Sequence, residues 1–257
     1  MKLFGEKNIA TFVESILKSK KAEFQHKIVI DIPAGAGSQS AIFAEMGARV
    51  EPYDLFPEFF VLKGIECKKA DLNKNLPIKD DHADFIHCQE GIEHVADQLH
   101  MFMEFSRILK KGGVLLLTTP NYSNLRSKLS YILTESEHFY KIMPPNKIDS
   151  VWHADDNSVY FGHIFLIGIQ KLRLLARLSG LTIKKIHHLR IGHTALLLLF
   201  FFYPFILTVN ILAHRRALRK AKNLDKEKKE IYRQVLALGI DPRLLVDTHL
   251  FVEFEKV

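Results

Sequence analysis

The chain has little cysteine. Only Cys67 and Cys88 occur in 257 residues, and both stand in runs that read as buried strands. That excludes a disulfide framework and fits a reducing cytoplasm. Met1 to Asn8 holds no long apolar core, which predicts no secretory leader. No tyrosine has a lysine four residues later, so a Tyr-Lys hydride-transfer pair at that spacing is missing. Acidic residues are also short, 29 against 36 Lys and Arg, for a net charge of +7. The excess is local. Between Arg215 and Lys229, eight Lys and Arg stand against Asp225 and Glu227 alone. These bases follow an apolar segment rather than studding an aromatic groove, which argues against nucleic acid. They suit either an anionic membrane surface or a solvated helix face.

What is present is an alternating rhythm. Apolar runs at Lys27–Ile32, Arg49–Asp54, Glu66–Ala70, Ala83–Cys88 and Val114–Thr118 read as strands. Helical patterns such as Ser38–Met46 and Gln98–Leu109 lie between them. Gly47 closes one helix, and Lys110-Lys-Gly-Gly113 closes another. Alternation of this kind predicts a parallel, doubly wound sheet with right-handed crossovers. After Pro120 the rhythm stops, and residues 121–162 read as a segment covering a site at the carboxyl edge of the sheet. A helix at Ile167–Leu178, a strand at Thr182–Ile191 and a last strand at Thr248–Phe254 follow.

Ala195–Ala213 carries no charge over 19 residues. As a helix it would be roughly 28 Å long, close to the ~30 Å of bilayer hydrocarbon. If the last strand rejoins the sheet, both ends of this segment lie on one side of a membrane, so a single pass is excluded. Pro204, in its middle, offers a break. A re-entrant or surface-lying hairpin is the favoured reading, and a buried or interface helix is the other.

The chemistry begins at Asp31-Ile-Pro-Ala-Gly-Ala-Gly37, directly after the first apolar run. A strand that ends in a carboxylate and a small-residue turn brings bare backbone to a ligand, which suggests a nucleotide-type cofactor. Asp54 ends the second strand about 20 residues later, where a carboxylate can take both ribose hydroxyls; alone it is equally a turn or cap residue. Asp31 would face a pyrophosphate unfavourably but an amino-acid ammonium favourably, which weighs against a dinucleotide.

Five stretches carry a resemblance in order: VIDIPAGAG (29–37), ARVEPYDLFPE (48–58), ADLNKNLP (70–77), ADFIHCQEGIEHVAD (83–97) and RILKKGGVLLLTTPN (107–121). Together they resemble the class I S-adenosylmethionine-dependent methyltransferases, over about Lys27–Ile191. The departure is Pro33, which stands where a first glycine is often found. The resemblance implies an α/β fold, a doubly wound and mainly parallel seven-stranded Rossmann-like sheet, with a hydrophobic helical insertion before the last strand. It implies S-adenosyl-L-methionine as cofactor and no metal. Asp31, Ala34, Gly35 and Gly37 would hold the cofactor's amino-acid end. Asp54 would hold the ribose, Leu55 and Leu72 the adenine faces, Asp71 the adenine amino group, and Gln89 would flank the methionyl part. Leu55 and Leu72 are equally readable as core.

A hydroxyl acceptor would need a base. Glu93, His94 and His163 are the candidates, with structural roles open for both histidines. His153, Asp155 and Asp156 form a further polar cluster. Cys88-Gln-Glu-Gly91 stands where amino-group methylation of nucleic acid would place Asn/Asp-Pro-Pro-aromatic. The expectation is a cytoplasmic, membrane-peripheral methyltransferase. Its domain comprises residues 1–194 and 247–257, and 195–246 form a membrane-associating insertion. Its acceptor is a small or lipid-linked molecule such as an envelope saccharide or quinone-type precursor. A non-catalytic, membrane-bound cofactor sensor and a nicotinamide-dependent reductase are the alternatives.

Overall fold

The computed structural model describes residues 9–136, 144–153, 159–221 and 224–257. Helices α1 (Ile9–Ser19) and α2 (Lys21–Phe24) precede β1 (Ile28–Asp31), α3 (Ser38–Glu45) and β2 (Arg49–Asp54). Next come β3 (Lys68–Lys69), β4 (Ala83–Gln89), α4 (Gln98–Ile108), β5 (Leu109–Pro120) and α5 (Leu125–Thr134). A small hairpin of β6 (Val151–His153) and β7 (Val159–Phe161) leads to α6 (Ile169–Leu178) and β8 (Leu181–His187). Then α7 (His193–Lys220), α8 (Lys226–Ile240) and α9 (Pro242–Val246) run on to β9 (His249–Lys256).

Seven strands form one sheet in the order β3-β2-β1-β4-β5-β9-β8. All contacts from β3 to β5 are parallel. Strand β9 runs antiparallel to both of its neighbours, so the segment made after α9 fills a slot inside the sheet. The central strands β1, β4 and β5 are largely apolar on both faces because both are covered. Consecutive residues diverge as a pleat requires: Val29, Phe85 and Leu116 join α1, α2 and α3, through Val13, Leu17, Phe24 and Phe43. Ile30, Ile86 and Leu117 join the other layer with Phe102 and Phe105 of α4 and Leu172 of α6.

Several boundaries differ from the sequence reading. The third strand shrinks to Lys68–Lys69. Lys110-Lys-Gly-Gly113 does not close a helix; it lies within β5, where the pairing register with β4 slips between Ala83 and Phe85 and Gly112 takes φ +75°. The strand expected to reach Ile191 ends at His187, and Ile191 makes only a single bridge to Asp247.

The apolar segment also differs. Pro204 neither breaks nor ends it, and α7 runs unbroken for 28 residues. Proline removes one backbone bond from a helix, and intact turns on both sides carry the rest. The chain reverses after Lys220. Tyr203 bonds the carbonyl of Ile240, while Ala217 and Ile231 share a cavity wall, so α8 lies antiparallel to α7.

Candidate active site

The strand order turns back between β1 and β4, and open α/β sheets bind ligands outside the carboxyl ends at that point. A cavity of about 270 Å³ opens there. Its walls include Pro33, Asp54, Leu55, Asp71, Leu72, Glu90 and His94. Asp54 does two jobs: its Oδ2 accepts from the Gly35 amide at 2.8 Å, and its Oδ1 from the Phe56 amide at 2.9 Å. The carboxylate thereby ties the glycine turn to the end of β2 while still facing the cavity. The Asp71 carboxylate caps its own turn through the Asn73 amide at 2.9 Å. A carboxylate at ribose position and apolar walls from Leu55, Leu72, Ala70 and Val95 suit the nucleoside half of S-adenosylmethionine. Gln89 ends β4 but does not line the cavity, and its buried Oε1 has no hydrogen-bond partner.

Asp31 is placed otherwise than the sequence suggests. It lies beneath the turn, 1% exposed, and does not line the cavity. Ser40 Oγ donates to its Oδ2 at 2.5 Å, and the His87 ring nitrogen Nδ1 lies 2.8 Å from Oδ1. Its charge is thus engaged in joining the start of α3 to β4, and it supports the turn from below. The close approach that Gly37 permits is used by the chain itself. Gly37 has φ +90°, and a Cβ there would come within 2.8 Å of the Phe60 ring. The Val61 amide donates to the Ala36 carbonyl at 3.2 Å, so this segment crosses the turn. Gly35 has φ +52° and open space around it, and the Ala34 amide donates to the Tyr53 carbonyl.

The structure brings Glu93, His94 and His163 together, with one ligand-type atom of each within 4.8 Å of the others. Glu93 is fully buried; its Oε2 accepts from Thr119 Oγ1 at 3.0 Å, and its Oε1 has no partner. Burial raises its pKa, against opposing hydrogen bonds and the neighbouring His94. His94 Nδ1 lies 2.7 Å from the Phe161 carbonyl, which can only accept. The proton is therefore assigned to Nδ1, and in the neutral ring Nε2 is a free base. His163 meets His94 edge-on at 4.8 Å between ring centres. One carboxylate and two imidazoles also have the composition of a divalent-cation site, whereas the expectation from sequence was no metal. The hairpin of β6 and β7 covers the cavity, with Tyr160 against Phe56 at 4.7 Å. Asp155 and Asp156 lie outside the described residues, as does the side chain of His153.

Two functional-looking residues escaped the sequence reading. Glu90 lines the cavity in a left-handed conformation, φ +51°. Such a backbone costs a non-glycine residue on the order of 1 kcal/mol or more and clusters at functional sites. Burial, then the charge of Glu93, pushes its pKa to about 8, although Thr118 donates to it at 3.2 Å. His249 Nε2 lies 3.7 Å from Glu90. Burial, then Arg190 and His163, pushes the His249 pKa down to about 4. The signal for Glu90 was the glycine after it. A Cβ on Gly91 would stand 2.6 Å from Pro33 Cδ. The proline that departs from the usual turn is thus matched by a glycine on the neighbouring strand's loop.

Comparison with known proteins agrees with this fold. Residues 4–186 match the methyltransferase-domain family. A ubiquinone biosynthesis O-methyltransferase of Xanthomonas campestris pv. campestris is 27% identical over 125 residues, 45% of this chain and 52% of that protein. One from Colwellia psychrerythraea is 28% identical over 155 residues, 57% of this chain and 61% of that protein. The chain thus spans about half the length of the first of these relatives. Among solved structures, an S-adenosylmethionine-dependent methyltransferase from Archaeoglobus fulgidus superposes with TM-score 0.56 at 14% identity, covering 97% of this chain and 95% of that one. One from Mesorhizobium loti gives 0.55 at 14%, covering 96% and 100%. At such identities the likeness is one of fold.

Proposed function

The chain belongs to the methyltransferase-domain family, and from that premise we propose that it methylates a hydroxyl of a lipid-linked acceptor at a membrane surface, with S-adenosyl-L-methionine as donor. The nicotinamide-dependent reading falls with the family. A quinone-type acceptor is favoured over an envelope saccharide by the relatives named for ubiquinone biosynthesis.

The bound cofactor supplies a methyl group on a sulfonium, already a strong electrophile. The chain's own work is to bind, align and keep water out. In this reading Asp54 takes the ribose hydroxyls, Leu55 and Leu72 flank the adenine, and Asp71 meets its amino group. Tyr160 and Phe161 close the top. His94 Nε2 accepts the acceptor's hydroxyl proton, its tautomer set by the Phe161 carbonyl, and Glu93 and His163 steady the charge that forms on the ring.

The observation that carries the membrane half is α7. One side packs on Leu125, Leu245 and Val246 through Leu198, Leu199, Tyr203 and Ile206. The other side is bare: Phe200 is 80% exposed and Phe205 70%. A contiguous apolar face of this size marks an interaction site, and Arg215, Arg216, Arg219 and Lys220 at its end suit anionic headgroups. Strands β8 and β9 fix both ends of the excursion to one sheet, so α7 lies on or dips into one face of the bilayer. In this reading the protein sits at the cytoplasmic face.

Calorimetry with S-adenosylmethionine tests the donor, and flotation with vesicles tests the surface. Binding in the micromolar range, and co-flotation that is lost on changing Phe200, Phe201 and Phe205 to serine, are expected. No binding of the cofactor, or intact protein left in the aqueous fraction with vesicles present, overturns the corresponding half.

A further inference from the structure

Helices α5 and α7 leave a groove of about 200 Å³ between them, apart from the cavity already described. Leu125, Leu129 and Ile132 form its wall on α5, and Leu198, Phe202 and Ile206 form it on α7. The other lining residue, Lys128, is solvent-exposed, so its ammonium stays in water while its stem borders the groove. Such a wall offers a ligand apolar surface and almost nothing to hydrogen-bond, which suits a hydrocarbon chain and not a polar guest.

Its shape is a trough. The lining residues recur at three or four positions, so each set is one row along its helix. From Leu198 to Ile206 the row runs about 12 Å. One end is closed, where Leu125 packs with Ala195, Leu245 and Val246. The other end is open, and Ile132 there is 78% exposed. The next row on α7, three positions on from the lining row, is Phe201, Phe205 and Val209, which belongs to the bare apolar side of the helix.

Topology sets the closed end beside the reaction. Strands β5 and β8 both run antiparallel to β9, so they are parallel to each other. Helices α5 and α7, which follow them, therefore leave the sheet at its carboxyl edge, where the first cavity opens. Thr119 of β5 donates to Glu93 at 3.0 Å, and α5 begins at Leu125. The six residues between them span at most about 22 Å even when fully extended. A chain of several isoprene or methylene units covers that distance.

We propose that the groove between α5 and α7 holds the hydrocarbon chain of the lipid-linked acceptor while its hydroxyl-bearing head stands in the cavity beside His94. This rests on the acceptor reading above and adds a chain subsite to it. A chain held only by a bilayer would lie against the bare row of Phe201 and Phe205. The groove adjoins that row and leads from it to the sheet edge, so the chain stays covered while the head reaches the donor.

The test uses the full-length protein in a nonionic detergent and two probes: catechol, and catechol carrying a farnesyl chain with a photoactivatable diazirine at its far end. Irradiation should label Leu129, Ile132, Phe202 or Ile206, read by peptide mass spectrometry. The chain should tighten binding over bare catechol on the order of 100-fold, as burial of a few methylene groups implies. Leu129→Trp, which fills the groove, should cut the labelling and the chain's advantage by roughly tenfold and leave the affinity for S-adenosylmethionine unchanged. Ile132→Trp, at an exposed position, should act in the same direction with little effect on folding. Leu133→Trp, on the same helix but outside the groove, should change neither. Label confined to Phe200, Phe201 and Phe205, or a chain advantage that survives both groove-filling changes, overturns the subsite and leaves the membrane reading standing. Loss of groove label on adding phosphatidylcholine, with the chain's advantage kept, makes the groove a phospholipid site and overturns the acceptor assignment. Groove label without methyl transfer to either probe supports the chain subsite and overturns the quinone-type reading instead. Failure of the wild type to bind S-adenosylmethionine overturns the donor reading alone.

Discussion

Beneath the glycine turn, Asp31 is held by Ser40 and His87, and beside it Asp54 is held by two backbone amides. Along α7, Phe200, Phe201 and Phe205 stand largely exposed, and the Phe200 and Phe201 rings meet edge-on at 5.3 Å. Burying a charge without partners is costly, so the sheet edge is closed upon itself by its hydrogen bonds. Exposing an apolar group costs far less within one molecule, so α7 can be left open until something outside covers it. The first region is built to be rigid before a ligand arrives, and the second to gain its contacts on docking.

Breaking each region should therefore damage different things. Asp31→Ala strips two buried groups of their partner and should cost about 3 kcal/mol of stability, read as a fall of roughly 10 °C in Tm by calorimetry. Asp54→Ala frees the Gly35 and Phe56 amides and removes the carboxylate proposed for the ribose. Its S-adenosylmethionine affinity should fall on the order of 100-fold, or about 2.7 kcal/mol, by titration calorimetry. Gly91→Ala would press a methyl group on Pro33 and should cost about 2 kcal/mol in urea unfolding; an unchanged midpoint would show that the Pro33–Gly91 contact is not fixed.

Glu90 sharpens the contrast through pH. Its folded pKa, near 8, lies above the ordinary carboxylate value, so the folded chain binds an extra proton between about pH 4.5 and 8. Stability is then lost as pH rises through that window. Glu90→Gln should match wild type near pH 4 and exceed it by roughly 2 kcal/mol at pH 8, a value discounted for the solvent that reaches the side chain. A constant difference across pH would mean that the carboxyl ionises freely. The smallest effect belongs to the other region. Serine at Phe200, Phe201 and Phe205 should move stability by less than about 1 kcal/mol, because these rings bury little surface in the free protein. A large loss of Tm would show that α7 packs more tightly than its exposure suggests.

The halves also differ in how much the sequence disclosed. The carboxyl ends of β1, β2 and β4, the glycine turn, and the placing of Asp54 and of the Glu93-His94 pair near them were legible because each is set by local pattern: an apolar run, a small-residue turn, a spacing of about 20 residues. What was missed depends on contacts between distant segments. Asp31 looked like a ligand contact because nothing local announces that Ser40 and His87 will take it. Pro33 looked like a departure until Gly91 came alongside. Glu90 was passed over because its left-handed backbone is imposed by the packing around it. In α7, Pro204 suggested a break from local preference alone, and the chain reverses instead where the apolar residues stop.

The place of β9 has a consequence for biosynthesis. The ribosome delivers α7 before it delivers β9, yet β9 lies between β5 and β8, with Phe251 and Phe254 buried. Until that strand is made, the sheet has a vacant slot while a 28-residue apolar helix is already outside. Unpaired strand edges and bare apolar surface together are what draw nascent chains into aggregation. A bilayer or a chaperone that covers α7 at that stage would protect the unfinished sheet as well; if it is the bilayer, the surface proposed above for the reaction and the one on which the chain completes its fold would be the same.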